Sequence, residues 1–261
     1  MPARPYYVSA ADSIIGKSLE LYGEWCEGEI ILFSRLLHVG DVVVDVGANI
    51  GTHALPLAKL VGASGTVYAY EPQRMIYEIL QKNVEANHLP NVRLNWAAVG
   101  AANSTSHIPE IDYSVQNNFG EVSTGHGELE VPMIALDSLK LPRLNLIKID
   151  VEGAEAEVLR GATSTIAQQR PILYVENKQL EKSRELVELI RNMGYRLWWH
   201  LSARYNQFNF ANNQFNAWPR NVDPNMVCLP KDGAVPSWPL NEVRDGSELG
   251  DLDSLIERIG A

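Results

Sequence analysis

Residues 42–51 read VVVDVGANIG, and this stretch decides the fold. Val42–Val46 is a short apolar run dense in β-branched residues, which predicts a strand buried on both faces of a parallel sheet. Gly47 and Gly51 follow it, allow a tight turn before a helical pattern begins, and let the backbone approach a ligand closely. The dinucleotide fingerprint spaces its glycines as G-x-G-x-x-G, and Asn49 stands where the second glycine would be. The turn therefore predicts a ligand site that does not hold a pyrophosphate.

The alternation of strands and helices continues after this stretch. Its short links indicate repeated β-α-β units, which predict a doubly wound α/β fold with a mostly parallel sheet. Residues 101–130 are rich in Asn, Gly and Ser, and predict an inserted hairpin or loop region. The further predicted strands are Thr66–Tyr70, Val92–Val99, Leu144–Ile149, Pro171–Val175, Tyr195–His200 and Met226–Leu229, and the predicted helices follow Pro72 or span Ala154–Ala167 and Glu181–Met193.

This pattern divides the chain into three regions. Residues 1–40 form an N-terminal entry segment, residues 41–230 the α/β domain, and residues 231–261 an acidic tail. The charge of the tail predicts a solvated helix or a partly disordered end.

Two carboxylates stand at the ends of consecutive predicted strands. Asp45 lies in an apolar strand, where an unpaired carboxylate is costly to bury, so a cationic or hydrogen-bond-donating ligand would remove that cost. Glu71 follows the second strand, where a carboxylate can accept hydrogen bonds from both hydroxyls of a ribose. Together with the glycine turn, they predict a ribose-bearing ligand.

Four motifs carry a resemblance to the class I methyltransferases, and within them to the FkbM family. They are Asp45–Gly51 (DVGANIG), Tyr70–Pro72 (YEP), Leu146–Gly153 (LIKIDVEG) and Tyr174–Asn177 (YVEN), in the order that the family has them. The resemblance covers roughly residues 20–230. It implies a Rossmann-like fold and S-adenosylmethionine as cofactor, with methyl transfer to a hydroxyl of a sugar, glycan or natural product.

The resemblance also implies which residues bind the cofactor. Tyr22–Trp25 matches the family's entry segment, which would cover the cofactor, although ordinary packing of an N-terminal helix is an equal interpretation. The cofactor-binding residues implied are Glu24, Asp45, Gly47, Asn49, Gly51, Glu71 and Pro72.

Polar side chains cluster at two later strand ends and suggest where the chemistry occurs. Lys148, Asp150 and Glu152 recur with a period of two, so an extended chain points all three to one face. Asp150, Glu152 and Glu176 are candidates for the base that takes the acceptor's proton, and Lys148 could pair with one of them or lower the acceptor's pKa. His200 is a further candidate base, or an ordinary histidine at a strand end.

A metal site is a second interpretation of these strand ends. Asp150, Glu176 and Asn177 offer three oxygen ligands suited to Mg²⁺, and resemble the ligand set of catechol-type O-methyltransferases. The alternative is a hydrogen-bonded polar cluster that orients the substrate without metal.

Two loops combine amides with aromatic rings. Asn117–Gly120 and Tyr205–Phe210 suit a small-molecule or carbohydrate-like acceptor, with ring faces for stacking and amides for hydroxyls. Polar surface loops share this composition.

The composition limits the classes of substrate and partner that we expect. A net charge of −10 disfavours a nucleic-acid substrate, which usually meets a basic surface. No apolar run approaches the roughly 18 residues that cross a bilayer, and the N-terminus lacks the apolar stretch of a signal peptide, so we expect no membrane contact and a cytoplasmic location. Alternative functions on this fold are a nucleotide- or NAD-dependent oxidoreductase, an N- or carboxyl-methyltransferase, and a binding module without chemistry.

Overall fold

The computed structural model describes residues 5–233 and 240–259. Its strands are β1 (Val42–Val46), β2 (Thr66–Tyr70), β3 (Val92–Asn95), β4 (Ala98–Val99), β5 (Ser104–Ile108), β6 (Leu129–Ile134), β7 (Leu146–Ile149), β8 (Ile172–Glu176), β9 (Tyr195–Ala203), β10 (Val222–Pro230) and β11 (Asn241–Glu242). Its helices are α1 (Ile15–Tyr22), α2 (Glu27–Leu36), α3 (Ala54–Val61), α4 (Arg74–Ala86), α5 (Glu155–Arg160), α6 (Thr163–Gln169), α7 (Leu180–Asn192) and α8 (Leu252–Ile259).

Eight of the described strands form one sheet, in the order β11-β9-β10-β8-β7-β1-β2-β3. The five strands from β8 to β3 run parallel, while β9, β10 and β11 pair antiparallel. Helices α2, α3 and α4 pack on one face and α5, α6 and α7 on the other. The doubly wound, mostly parallel α/β fold is thus confirmed, and the carboxyl ends of β1, β2, β7 and β8 meet at one edge. In the described ranges, no helix combines the length and apolar character that crossing a bilayer requires.

The predicted strand Val92–Val99 is confirmed only as far as Asn95, because the chain leaves the central sheet at Trp96. The indole Nε1 of Trp96 donates to the carbonyl oxygen of Pro72 at 2.8 Å, and β4 pairs instead with β6 in a small sheet of order β4-β6-β5. The predicted insertion contains β5 and the start of its antiparallel partner β6, and the segment between these strands crosses to the carboxyl edge of the central sheet.

The predicted helix Ala154–Ala167 is two helices, α5 and α6, which meet at Gly161. A Cβ atom on Gly161 would lie 2.0 Å from the carbonyl oxygen of Gly100, so this turn contacts the backbone of another segment. A continuous helix with a side chain at this position would separate the two segments.

The acidic tail is more ordered than its charge predicts. β11 extends the sheet by pairing with β9, and Val243, Leu249 and Leu255 are buried against the core. These apolar side chains anchor the tail, so the expectation of a solvated end is wrong for them. Residues 234–239 and 260–261 lie outside the described residues.

Candidate functional site

A cleft of about 890 Å³, measured with its open mouth, lies at the carboxyl ends of β1, β2, β7 and β8. This is where ligands bind in open α/β sheets. N-terminal residues and the inserted segment 118–124 complete its walls. Its charged lining is mostly acidic and comprises Glu29, Glu71, Glu121, Asp150, Glu152, Glu176 and Asp223, with Lys178, Arg204 and the titratable His53.

Glu71 lies in this cleft and is held by two backbone N–H groups. Asn49 donates to Oε2 at 3.0 Å and Gln73 donates to Oε1 at 2.9 Å. Burial raises the pKa of Glu71 to about 7 in spite of these two hydrogen bonds. Each carboxylate oxygen keeps a further lone pair, so Glu71 can accept two more hydrogen bonds from adjacent hydroxyls.

The two glycines of the β1–α3 turn have different roles. Gly47 has φ of +79° and lines the cleft, and a Cβ atom there would lie 1.8 Å from the carbonyl oxygen of Asp150. A Cβ atom on Gly51 would lie 2.6 Å from the Leu55 side chain, away from the cleft lining. Gly51 makes room for core packing, and its predicted role in giving a ligand access stays a prediction. Asn49, with φ of +48°, lines the cleft as predicted.

The positive charge of Lys148 compensates the carboxylate of Asp45 inside the protein. The Lys148 Nζ lies 3.3 Å from Asp45 Oδ1 and 3.2 Å from Asp150 Oδ2. Burial disfavours the charge on Lys148, but the carboxylates of Asp150 and Asp45 outweigh it and hold its pKa above the ordinary value. Asp45 and Lys148 lie beneath the cleft lining. The predicted pairing of Lys148 with Asp150 is confirmed, while ligand contact by Asp45 stays a prediction.

Three carboxylates do converge in the cleft. Ligand atoms of Asp150, Glu152 and Glu176 lie within 4.8 Å of one another. Lys178 forms ion pairs with Glu152 and, at 3.4 Å, with Glu176 Oε1, whereas the buried Glu176 Oε2 has no hydrogen-bond partner. Burial raises the pKa of Glu152 to about 7 and raises that of Glu176 as well. Glu152 also has φ of +57°, a conformation that non-glycine residues adopt at a cost and that is frequent at functional sites.

Of the three predicted magnesium ligands, Asp150 and Glu176 come together and Asn177 does not. The Asn177 amide donates to Ser183 Oγ at 2.9 Å, is buried, and stays outside the cleft lining. Because side chains alternate along an extended chain, it points opposite to Glu176. Glu152 takes the third position, and the Lys178 ammonium lies against two of the three carboxylates. The predicted set with Asn177 is therefore not formed, although Asp150, Glu152 and Glu176 lie close enough to share an ion.

Two other predicted residues also lie outside the lining. His200 Nδ1 is 2.8 Å from the Tyr174 hydroxyl, and burial lowers the pKa of this imidazole. Glu24 accepts hydrogen bonds from Asn206 Nδ2 and from the Phe210 backbone, so it ties the entry segment to the loop after β9. Pro72 does line the cleft.

Sequence reasoning missed a buried pair in the cleft. His53 Nε2 lies 2.9 Å from Glu29 Oε2, and Asn225 Nδ2 donates to Glu29 Oε1 at 3.2 Å. All three side chains line the cleft and are buried. His53 and Glu29 belong to the first turns of helices rather than to strand ends. The expectation that ligand-binding side chains follow strand ends therefore did not identify them.

Sequence reasoning also missed a second group in the cleft lining. Arg204 donates from Nη2 to Asp223 Oδ1 at 2.7 Å and from Nε to the same oxygen at 3.2 Å, and its guanidinium stacks over Trp25. Arg204 follows β9, whose last residue, Ala203, lies three residues beyond the predicted strand end at His200. A correct strand boundary would have identified it.

The two amide-rich loops differ in their relation to the cleft. Asn118 and Gly120 line it, while Phe119 is buried and its carbonyl accepts from Gln73 Nε2 at 2.9 Å. No residue of 205–210 lines it, although Phe208 is 81% exposed. Substrate contact by the second loop thus stays a prediction.

Two curated relatives match this chain in sequence. Hexuronic acid methyltransferase AglP of Haloferax volcanii is 32% identical over 130 residues, which are 48% of this chain and 52% of that protein. Methyltransferase 1 of Beauveria bassiana is 27% identical over 146 residues, 46% of this chain and 57% of that protein. The chain thus spans about half the length of the curated relatives it matches.

The crystal structure of Methyltransferase FkbM from Methylobacillus flagellatus KT is similar over 82% of this chain and 50% of that chain, with 16% identity and a TM-score of 0.49. The family model described as the methyltransferase FkbM domain matches residues 45–197. This match covers more than half of the chain, from the end of β1 into β9, and the chain therefore belongs to the FkbM methyltransferase family.

Proposed function

We propose that this protein transfers a methyl group from S-adenosylmethionine to a hydroxyl of a sugar or a similar polyhydroxylated acceptor. The position of Glu71 is the observation that supports this cofactor. Two backbone N–H groups fix its carboxylate beside the Gly47 turn, and lone pairs remain for the two ribose hydroxyls. Family membership supports the reaction type. The name of the Haloferax volcanii relative supports the acceptor class.

The charges of the cleft fit this cofactor. S-adenosylmethionine supplies an electrophilic methyl group on a positively charged sulfonium when it is bound. Asp150, Glu152 and Glu176 surround one end of the cleft, and the unpartnered Glu176 Oε2 is a buried acceptor facing a lining that is mostly acidic. A cation is favoured there over a pyrophosphate, which argues for the sulfonium cofactor over a dinucleotide.

The acidic cluster also contains a candidate base for the acceptor's hydroxyl proton. Methylation of a hydroxyl forms one O–CH₃ bond, breaks one S–CH₃ bond and releases the hydroxyl proton, so a nearby base assists the reaction. Glu152 is the base we propose, because its pKa of about 7 is matched to proton uptake near neutral pH. Lys178 holds Glu152 beside Glu176, and Asp150 hydrogen bonds to the buried Lys148 beneath them.

One pair of lining residues suits an acceptor with adjacent hydroxyls. Arg204 and Asp223 present donors and acceptors side by side, and a hydroxyl can accept from one and donate to the other. Asn118 also lines the cleft and offers a further amide. These neutral pairs bind polyhydroxylated molecules without requiring a charge on them.

A methyl-transfer screen tests the proposal. Labelled S-adenosylmethionine is incubated with the protein and with panels of sugars, uronic acids, phenols, amines and free carboxylates, in parallel with added Mg²⁺ and with a chelator. We expect label in the ether fraction of a sugar or uronic acid, with equal yield in both arms. Label only in amines or as a methyl ester would contradict the acceptor class, and activity lost in chelator would require a metal in place of the Lys178 arrangement.

A further inference from the structure

The loop of residues 205–218, the aromatic loop, lies between β9 and β10 and has no role in the proposed function so far. It consists of seven amide residues, five aromatic residues and two alanines, without a charged side chain, whereas 21% of the whole chain is charged. Nucleic acids and anionic membranes are bound through Lys and Arg. The composition of the loop therefore favours an uncharged surface on its ligand.

The amides fix the first half of the aromatic loop. The Asn209 side chain is buried, donates from Nδ2 to the carbonyl oxygens of Asn206 and Asn213, both at 2.7 Å, and accepts from the Asn213 N–H at 2.9 Å. Glu24 of the entry segment accepts from Asn206 Nδ2 and from the Phe210 N–H. A loop whose conformation is already fixed loses little entropy when a ligand binds.

Tyr22, which is fully buried at the end of α1, fixes the second half of the loop. Its hydroxyl donates to the Phe215 carbonyl oxygen at 3.0 Å and accepts from the Ala217 N–H at 2.8 Å. Its ring packs edge-on against Tyr205 and Trp218, with centroids 5.5 Å and 5.6 Å away. The start and the end of the loop thus rest on one buried side chain.

Two phenylalanine rings of this fixed loop face the solvent. Phe208 is 81% exposed and Phe215 is 67% exposed. Gln214 Nε2 donates to the Gln207 carbonyl oxygen at 3.3 Å, so the two rings follow hydrogen-bonded stretches of the loop. The C–H groups on the face of a sugar ring pack on such aromatic surfaces, and its hydroxyls bond to exposed amides such as that of Gln207.

The aromatic loop starts next to the cleft. Arg204, the residue before it, lines the cleft together with its partner Asp223. Four residues span at most about 14 Å, which limits the distance between the Arg204 and Phe208 backbones. One sugar of a chain spans roughly 5 Å, the extent of about four single bonds. Because Phe208 is not in the lining, one sugar held in the cleft does not reach it, whereas a chain of three or four sugars does.

We infer that the aromatic loop is a subsite for a sugar chain. The sugar that receives the methyl group lies in the cleft, and a sugar further along the same chain stacks on the rings of Phe208 and Phe215. This inference rests on the proposed function, because it takes the acceptor to be a sugar. It goes further in that the acceptor is an oligosaccharide rather than a free monosaccharide, and Phe208 is a residue that determines this specificity.

The test compares acceptors of different length in a methyl-transfer assay with labelled S-adenosylmethionine. The acceptors are glucose, mannose, glucuronic acid and galacturonic acid, each as the free sugar, the dimer and the linear tetramer. We expect the wild type to methylate a tetramer with kcat/KM at least about 10-fold above that of its free sugar, because a sugar covers part of a phenyl ring.

Phe208→Ala is expected to raise the KM for that tetramer about 10-fold with kcat unchanged, since the contact is remote from the reacting atoms. The KM for the free sugar should stay within about 2-fold. Phe208→Trp keeps an aromatic face and should retain the preference for the tetramer. Tyr7→Ala is the matched control, because this ring is 56% exposed and the Tyr7 N–H donates to Asn83 of α4. It should change neither KM.

Equal kcat/KM for the free sugar and the tetramer in the wild type overturns the subsite, leaves the proposed function intact, and would assign the exposed rings to a protein partner. An equal rise in both KM values in Phe208→Ala also overturns it, since the loop would then only support the cleft. Label in none of the sugars contradicts the proposed function together with the subsite.

Discussion

The ammonium of Lys148 lies 3.3 Å from the carboxylate of Asp45, and the side chains are 1% and 0% exposed. The parallel register of β1 and β7 sets Asp45 directly opposite Lys148, beneath the floor of the cleft. The pair thus has a structural role, since it supports the strand ends from which Gly47 and Asp150 extend.

Removing one partner of this pair should destabilise the fold strongly. Lys148→Met leaves the buried Asp45 charge uncompensated, and we expect a loss of about 3–5 kcal/mol in the free energy of unfolding. Urea unfolding measures the change. Lys17→Met is the control, because the Lys17–Glu20 pair is exposed and should contribute less than about 1 kcal/mol. Equal effects in the two variants would contradict the buried pairing.

The close approach of Gly47 to Asp150 gives a second prediction about stability. Gly47→Ala would place a Cβ atom 1.8 Å from a backbone oxygen, and Gly125→Ala would meet nothing within 4 Å. Both glycines have positive φ, +79° and +97°, so the conformational cost of alanine is similar, about 1–2 kcal/mol. We expect Gly47→Ala to lose at least about 4 kcal/mol in unfolding experiments, or not to fold at all. A similar loss of stability in both variants would show that Gly47, at the end of β1, and Asp150, at the end of β7, are not in contact.

Much of this architecture could be predicted from the sequence, because β-branched runs and turn glycines are local signals. β1 and β2 begin and end where the pattern places them, and Glu71 lies in the cleft. The pairing of Asp45 with Lys148 could not be predicted, since it depends on the register between strands about a hundred residues apart.

The directions of side chains just beyond a strand were also not predicted correctly. Asn177 follows Glu176 directly and was predicted to share its site, but the pleat turns it toward Ser183. His53 and Glu29 meet only because α2 packs against α3, a tertiary contact that no local pattern reveals.

The raised pKa of Glu71 makes the stability of the ligand-free protein depend on pH. The folded-state pKa of about 7 exceeds the usual value of 4.5, so the folded chain binds this proton more tightly than the unfolded chain does. The protonated carboxyl therefore contributes stability below pH 4.5 that is lost as the pH rises through 7. Glu71→Gln mimics the neutral form. The free energy of unfolding of Glu71→Gln, relative to that of the wild type, should rise by up to roughly 3 kcal/mol from pH 5 to pH 8.

Urea unfolding of both proteins at the two pH values measures this difference. Glu78→Gln, at an exposed position of α4, is the control and should show no such gain. A wild-type to Glu71→Gln difference that is the same at pH 5 and pH 8 would contradict the raised pKa.

Turnover should depend on Glu152 without any effect on cofactor affinity. Glu152→Gln removes the proposed base, and we expect the rate of methyl transfer to fall by about 100-fold or more, with calorimetric affinity for S-adenosylhomocysteine within about 3-fold. In the wild type the rate should rise with pH up to about 7, as Glu152 loses its proton. Glu188→Gln on the exposed face of α7 is the control. Wild-type turnover in Glu152→Gln would exclude it as the base.

Binding of the cofactor product tests the central claim most directly. Calorimetric titration of S-adenosylhomocysteine and of NAD⁺ into wild type and Glu71→Gln asks whether Glu71 and the adjacent glycine turn hold an adenosyl ligand without a pyrophosphate. We predict one molecule of S-adenosylhomocysteine per chain, an affinity loss of about 1–3 kcal/mol in Glu71→Gln, and no heat with NAD⁺. Binding of NAD⁺ in its place, or an affinity for S-adenosylhomocysteine that is the same in both proteins, would contradict it.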